Sequence, residues 1–122
     1  MRIKAIYLNG ATLMTTPDGI DLVLDSCHWH ASGSQPLDAF PVERLALVHL
    51  NDAPDKPPRQ IEDEDRVLPG EGVIQLKTLT AAPISRGYSK PWSLETFNHA
   101  YWKDDPQAIA SRGFEVITRI PT

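Results

Sequence analysis

Three residues in this sequence carry side chains that together could bind a divalent metal ion. Asp25 ends one apolar run, His49 lies near the end of a second, and Glu95 lies within a third. Two carboxylates and one imidazole form a mixed oxygen and nitrogen ligand set, which suits Mn²⁺, Mg²⁺ or Co²⁺ better than a soft thiolate site would. An unpaired charge on a buried strand is costly, so a shared cation is one solution. The alternative is that each residue is a satisfied polar group near a sheet edge.

The segments that carry these residues are predicted to be strands. Residues 20–25 and 44–51 are short and mostly apolar, which is typical of strands that are covered on both faces, as in parallel sheets. Residues 92–97 are predicted as a later strand with Glu95 inside it, and residues 2–8 as an earlier strand.

Helical patterns separate the later strands. Residues 73–86 have helical spacing, and Pro83 is expected to kink or end that helix. Asp105 is a good N-cap, Pro106 suits the first helical position, and an apolar stripe continues to Ile120. Strands that alternate with helices predict an α/β fold with a parallel sheet, whose ligands bind at the carboxyl ends of the strands.

Five short motifs occur in an order and spacing that are more specific than any one of them alone. The motifs are Leu24-Asp25-Ser26-Cys27-His28-Trp29, Val48-His49-Leu50-Asn51-Asp52-Ala53-Pro54, Arg66-Val67-Leu68-Pro69-Gly70-Glu71-Gly72, Gly87-Tyr88 and Ser93-Leu94-Glu95-Thr96-Phe97-Asn98. Together they resemble the sugar phosphate isomerase/epimerase family with the xylose isomerase-like TIM-barrel fold, over roughly residues 20 to 120. The resemblance implies that residues 1–122 form a single domain, the carboxyl-terminal half of a TIM-type barrel.

The resemblance implies a role for each residue that matches a functional position of the family. Asp25, His49 and Glu95 fall on metal ligands, and Glu95 also on a residue that can serve as a base. His28 and Arg66 fall on positions that contact substrate oxygens. The implied cofactor is therefore a divalent metal, and the implied ligand is a small sugar or sugar phosphate.

Two residues beside these motifs have alternative interpretations. Trp29 could form a wall of a sugar pocket, although packing is the commoner use of a tryptophan. Asp52 could orient His49 or the substrate, as carboxylates around metal sites do, or it could cap a turn.

The implied chemistry is proton transfer beside a carbonyl. A divalent ion polarises the carbonyl and acidifies the adjacent C–H, and a carboxylate removes that proton to give an enediolate. Return of the proton to the other face gives an epimer, and return to the neighbouring carbon gives an isomer. Loss of a β-hydroxyl instead gives a dehydratase, which Asn98 keeps open, and the fold alone does not choose among the three.

The sequence departs from the family in its length and in one ligand. Its 122 residues are about half of a typical barrel of roughly 250, and the strands of the first half are missing. The family has a further Glu on the strand ahead of Asp25, but that position falls near Ile6, and no Asp or Glu precedes Asp18. We therefore expect weaker metal binding and no two-base epimerisation. Exposed strand edges favour pairing with a second copy or a missing partner half, and a non-catalytic half-barrel is a further alternative.

The composition of the chain argues against several other classes of function. The net charge is −4 and no basic stripe is present, which argues against nucleic-acid binding and a repair nuclease. No apolar run approaches the ~20 residues that cross a membrane, and the amino terminus does not have the pattern of a signal peptide. Cys27 is the single cysteine, which suits a reducing cytoplasm.

Overall fold

Within the described residues, four parallel strands form one sheet. The computed structural model describes the backbone of residues 3–6 and 20 and all atoms of residues 21–120. The strands are β1 (Ile3–Ile6), β2 (Ile20–Asp25), β3 (Leu45–Leu50) and β4 (Trp92–Leu94). They lie in the order β1-β2-β3-β4, and each neighbouring pair is parallel. The predicted α/β class with a parallel sheet is confirmed.

The strand register brings the candidate ligands to one rim of the sheet. Asp25, the last residue of β2, lies opposite His49 of β3. The predicted strand over residues 92–97 is too long, because β4 stops one residue before Glu95. The Glu95 backbone N–H still donates to the Leu50 carbonyl at 3.3 Å, so the chain remains in contact with β3 at this residue. Glu95 therefore lies just beyond the carboxyl end of its strand.

In the described part of the chain, three α-helices accompany the sheet: α1 (Ser26–Ala31), α2 (Leu76–Ser85) and α3 (Pro106–Ile117). The start of α3 is as predicted, since the Asp105 carboxylate accepts the Ala108 N–H at 2.9 Å and Pro106 is the first helical residue. The helix does not continue to Ile120, because the N–H groups after its end bond three residues back, as in a 3₁₀ turn. No helix in the described part of the chain has the length and apolar character needed to cross a membrane.

Helix α2 differs from its prediction at both ends. It begins at Leu76 because the preceding residues are held in a loop, and it continues through Pro83 to Ser85. Pro83 lies in the last turn, so its missing N–H removes only one bond of the helix ladder. Gly87 then adopts a φ of 78°, a left-handed conformation that suits glycine at a helix end.

The hydrophobic core lies where β2 and β3 pack against α2. Leu24, Leu45, Val48, Leu50 and Leu79 have no exposed surface. Each fully buried leucine or valine contributes about 1.5–3 kcal/mol relative to an exposed one. The continuous apolar runs of the sequence thus become the strands that hold the rim in place.

Replacing Gly72 with alanine should lower the free energy of unfolding by about 2–3 kcal/mol, because the new Cβ has no space. It would lie 2.1 Å from the Ala53 carbonyl oxygen, and backbone cannot move aside cheaply. Gly113→Ala is the matched control: its nearest neighbour, at 2.4 Å, is a movable Leu94 methyl, and alanine favours a helix. Urea unfolding of both variants checks this. Equal losses in the two would contradict the steric explanation.

Candidate metal centre

Three side chains from neighbouring strands converge at the carboxyl rim of the sheet. Asp25, His49 and Glu95 each offer one ligand atom, and these atoms all lie within 4.8 Å of one another. The His49 Nδ1 atom lies 3.2 Å from Glu95 Oε2 and 3.6 Å from Asp25 Oδ2. The parallel sheet accounts for this convergence, because the ends of parallel strands share one edge.

The arrangement fits a divalent metal ion. The Nδ1 atom of His49 is buried and makes no hydrogen bond with any described residue. A buried polar atom without a hydrogen bond calls for an explanation, and a role of this nitrogen as a metal ligand is one. Carboxylate oxygens and an imidazole nitrogen are ordinary ligands of zinc and of harder divalent ions.

Asn51 holds the candidate ligands in place, a role that the sequence did not reveal. Its amide Nδ2 donates to Asp25 Oδ2 at 3.2 Å and to the Glu95 carbonyl at 3.1 Å. Its Oδ1 accepts from the Ser26 hydroxyl at 2.6 Å and from the Cys27 N–H at 2.9 Å. Asn51 is fully buried and so ties together the ends of β2, β3 and β4. The one sequence feature that could have indicated this role is that Asn51 directly follows an apolar strand.

Arg66 lies beside the same carboxylates. Its Nη1 donates to Glu95 Oε2 at 2.9 Å and to Asp25 Oδ2 at 3.2 Å. Its Nη2 donates to Asp63 Oδ1 at 2.7 Å, and its guanidinium lies 5.4 Å from the centre of the Phe97 ring. Burial acts to lower the pKa of Arg66, but the surrounding acids outweigh it and the pKa is raised. Arg66 therefore stays charged despite being buried.

His28 completes this group at its edge. Its backbone N–H donates to Asp25 Oδ1 at 3.0 Å, so Asp25 also caps α1. Its ring Nε2 lies 3.4 Å from Arg66 Nη2. The five residues Asp25, His28, His49, Arg66 and Glu95 thus form one continuous polar cluster.

Trp29 lies in the hydrophobic core and does not form a wall of this cluster. It is 2% exposed, and its indole N–H donates to the Gln35 carbonyl at 2.8 Å. It borders a cavity that Leu37 and the α2 residue Ala82 also line. This burial and this hydrogen bond favour packing, the commoner of the two interpretations of Trp29.

Asp52 is turned towards backbone groups and not towards the cluster. Its Oδ1 accepts the N–H groups of Ala53 and Ile74, and its Oδ2 accepts that of Gly70, each at 2.9 Å. It is 1% exposed. Of the two interpretations of Asp52, these contacts favour the turn cap, since both carboxylate oxygens accept N–H groups of the loop between β3 and α2.

Cys27 should be unreactive in the folded chain. Burial, together with the nearby Asp25 carboxylate, raises the pKa of its thiol to about 12. At pH 8 only about one thiol in ten thousand is then ionised, and the thiolate is the nucleophile. We expect iodoacetamide to modify Cys27 at least ~100-fold more slowly in buffer than in urea, with the rate recovering only as the pH approaches the raised pKa. Equal rates in the two solvents would contradict this.

Comparison with known proteins gives a consistent result. The family model described as "Xylose isomerase-like TIM barrel" matches residues 13–120. Inosose isomerase of Halalkalibacterium halodurans is 38% identical over 88 residues, which are 70% of this chain and 31% of that protein. Inosose isomerase of Bacillus subtilis is 39% identical over 88 residues, again 70% of this chain and 32% of the relative. The chain thus spans about a third of the length of these curated relatives.

Solved structures agree with this comparison. The crystal structure of an IolI protein with a bound zinc atom matches with a TM-score of 0.80 and 32% identity, over 86% of this chain and 38% of that one. A xylose isomerase domain protein from Alicyclobacillus acidocaldarius matches with a TM-score of 0.74 and 26% identity, over 85% of this chain and 38% of that one. On this fold and this sequence match, the chain belongs to the xylose isomerase-like TIM barrel family.

Proposed function

We propose that this chain carries the metal-holding and base-bearing part of a sugar isomerase. The observation that supports this most directly is the convergence of Asp25, His49 and Glu95 within 4.8 Å at the carboxyl rim of the sheet. The relatives named as inosose isomerases and the zinc-bearing relative agree with this interpretation. The proposed substrate class is a small polyhydroxylated carbonyl compound.

Asp25, His49 and Glu95 would hold the ion, through two carboxylate oxygens and one imidazole nitrogen. When bound, a divalent ion would polarise the carbonyl of the substrate and acidify the adjacent C–H. The proposed metals are Zn²⁺, which the solved relative carries, and Mn²⁺, Mg²⁺ or Co²⁺, which the mixed ligand set also suits.

Glu95 is the proposed base. Its side chain is 32% exposed while that of Asp25 is 1% exposed, so a ligand at the rim can reach Glu95 more easily. Glu95 would take the proton from the carbon beside the carbonyl and return it to the former carbonyl carbon, while a hydroxyl proton passes to the carbonyl oxygen. Arg66 and His28 border the same space and would bind substrate oxygens.

A single base favours isomerisation over epimerisation. Epimerisation by proton exchange between two faces needs an acid or base on each face, and β1 contributes no Asp or Glu. Ile6, near which the position of the further family Glu is expected to fall, lies opposite Val23 in the register. In the sequence, Asn98 left a dehydratase reaction as an alternative. Its Oδ1 accepts the Ala100 N–H at the surface, which does not support that reaction.

Full catalytic turnover would need strands in addition to the four of the described sheet, because a TIM barrel has eight. β1 and β4 are the outer strands of the described sheet. Phe97 and Trp102 follow β4 and are 43% and 70% exposed. Outer strands with unpaired edges and exposed aromatic residues favour pairing with another chain, and a second copy is the partner available to the purified chain. Sedimentation or light scattering checks this, and a monomer at micromolar concentration would contradict it.

Glu95→Gln should reduce proton exchange beside the carbonyl by about 100-fold, because glutamine cannot accept a proton at neutral pH. The measurement is deuterium uptake by a ketose in D₂O with saturating Mn²⁺ or Zn²⁺, followed by NMR. Exchange is a partial reaction and needs less of the barrel than full turnover. Glu43→Gln is the control, since Glu43 is exposed and precedes the amino end of β3, at the opposite rim. Equal rates of deuterium uptake with E95Q and the wild type would contradict the assignment of Glu95 as the base.

A further inference from the structure

Arg66 donates hydrogen bonds to the carboxylate oxygens that a metal ion would need as ligands. Its Nη1 bonds to Asp25 Oδ2 and Glu95 Oε2, the two oxygens that also lie nearest to His49 Nδ1. The side chain of Arg66 is only 4% exposed, so this contact is shielded from water. In the structure described here, the positive charge beside the two candidate ligand carboxylates is that of Arg66.

The two ends of the guanidinium face different partners. Nη1 faces the candidate ligand oxygens, and Nη2 faces Asp63 Oδ1 at 2.7 Å and the His28 ring at 3.4 Å. Asp63 is 70% exposed and belongs to the short helix Asp63–Asp65, outside the cluster. Arg66 can therefore release the inner oxygens and still keep a charged partner.

We propose that Arg66 is a built-in competitor of the divalent ion for Asp25 Oδ2 and Glu95 Oε2. This inference rests on the metal site of the proposed function. Without metal, Arg66 offsets the repulsion between two neighbouring carboxylates, of which that of Asp25 is buried. With metal bound, a fixed positive charge a few ångströms from a divalent ion lowers the affinity for that ion. Binding of the ion would loosen the inner contacts and leave Nη1 free for an oxygen of the substrate.

The test compares charge-removing and charge-keeping variants of the full chain. Mn²⁺ and Zn²⁺ affinities are measured by calorimetry, and the thermal stability of the metal-free forms is measured in parallel. Arg66→Gln should bind metal about tenfold more tightly or better, while its metal-free form unfolds at a lower temperature. Arg66→Lys keeps the charge and should bind metal like the wild type. Arg119→Gln, which removes an exposed charge paired with Glu115, is the control for net charge.

Two outcomes separate this inference from the metal site itself. If the wild type binds metal and R66Q binds it equally or more weakly, Arg66 is no competitor, while the metal site stands. If neither binds metal, the proposed function fails and the inference fails with it.

A second readout does not depend on the folding of a variant. The Arg66 Nε–H resonance of the wild-type chain should move on titration with diamagnetic Zn²⁺, because its inner hydrogen bonds are exchanged. A resonance that stays in place while Zn²⁺ saturates the chain would overturn the inference.

Discussion

Replacing His49 with alanine is expected to lower the affinity for Mn²⁺ or Zn²⁺ by on the order of a hundredfold or more. Loss of a residue that merely supports a ligand costs about 10–100-fold, and loss of a direct ligand should cost at least the upper end of that range. His49 supplies the one nitrogen of the three ligand atoms, and its Nδ1 has no hydrogen bond among the described residues.

The stability of the metal-free chain gives this prediction a second part. Because Nδ1 makes no hydrogen bond, His49→Ala should lower the unfolding temperature of the metal-free protein less than that of the metal-saturated protein. Its stabilisation by added metal should disappear, since an ion stabilises only the state that binds it. His99→Ala is the matched control, because His99 is 60% exposed and pairs with Glu64 outside the cluster. Unchanged metal affinity in H49A would remove His49 from the site.

Asp52→Ala is expected to lower the free energy of unfolding by about 3 kcal/mol or more. Its two carboxylate oxygens accept three backbone N–H groups, of Ala53, Gly70 and Ile74. Each buried donor left without an acceptor costs about 1–3 kcal/mol. A loss of that size should lower the midpoint of thermal unfolding by on the order of 10 °C.

The effect of Asp52 should follow the number of acceptors that remain. Asp52→Asn with its amide oxygen in place of Oδ1 keeps two of the three bonds, so its loss of stability should lie between those of the wild type and the alanine variant. Asp38→Ala, at an exposed position, serves as the control. Urea unfolding measures all three, and an alanine variant as stable as the wild type would contradict the role given to Asp52.

The rim of the sheet could be predicted from the sequence because its determinants are local. Residues 45–50 are nearly all apolar, which marks a strand covered on both faces, and a polar residue at such a strand end lies at the ligand-binding edge. Asp25 and His49 were therefore placed correctly at one rim, opposite each other. Glu95 was also placed near the rim, although the length of its strand was wrong.

The contacts around the rim could not be predicted, because they depend on segments that return from far along the chain. Asp52 bonds to Gly70 and Ile74, which follow it by 18 and 22 positions. Asn51 reaches both Asp25 and the Glu95 carbonyl, 26 and 44 positions away. Nothing in the local sequence distinguishes a side chain that serves a ligand from one that serves a distant loop.

The helix errors have the same kind of origin. The cost of an interior proline predicted that the helix kinks or ends at Pro83, but it continues to Ser85, because that cost is small in the last turn of a helix. Leu76 and Leu79 are buried in the core and hold α2 against the sheet, and this packing outweighs the local cost of the proline. Trp29 was ambiguous in sequence because its neighbours belong to the motif, while the direction of its side chain follows from α1.

The central claim is that Asp25, His49 and Glu95 form one metal site, and a crystal structure of the chain with Mn²⁺ or Zn²⁺ tests it most directly. The claim predicts one strong anomalous-scattering peak within about 2.0–2.3 Å of an oxygen of each carboxylate and of a nitrogen of His49. It also predicts that Arg66 Nη1 has moved away from Asp25 Oδ2 and Glu95 Oε2. A saturated crystal with no peak among these three side chains, or with the ion bound elsewhere, would contradict the account.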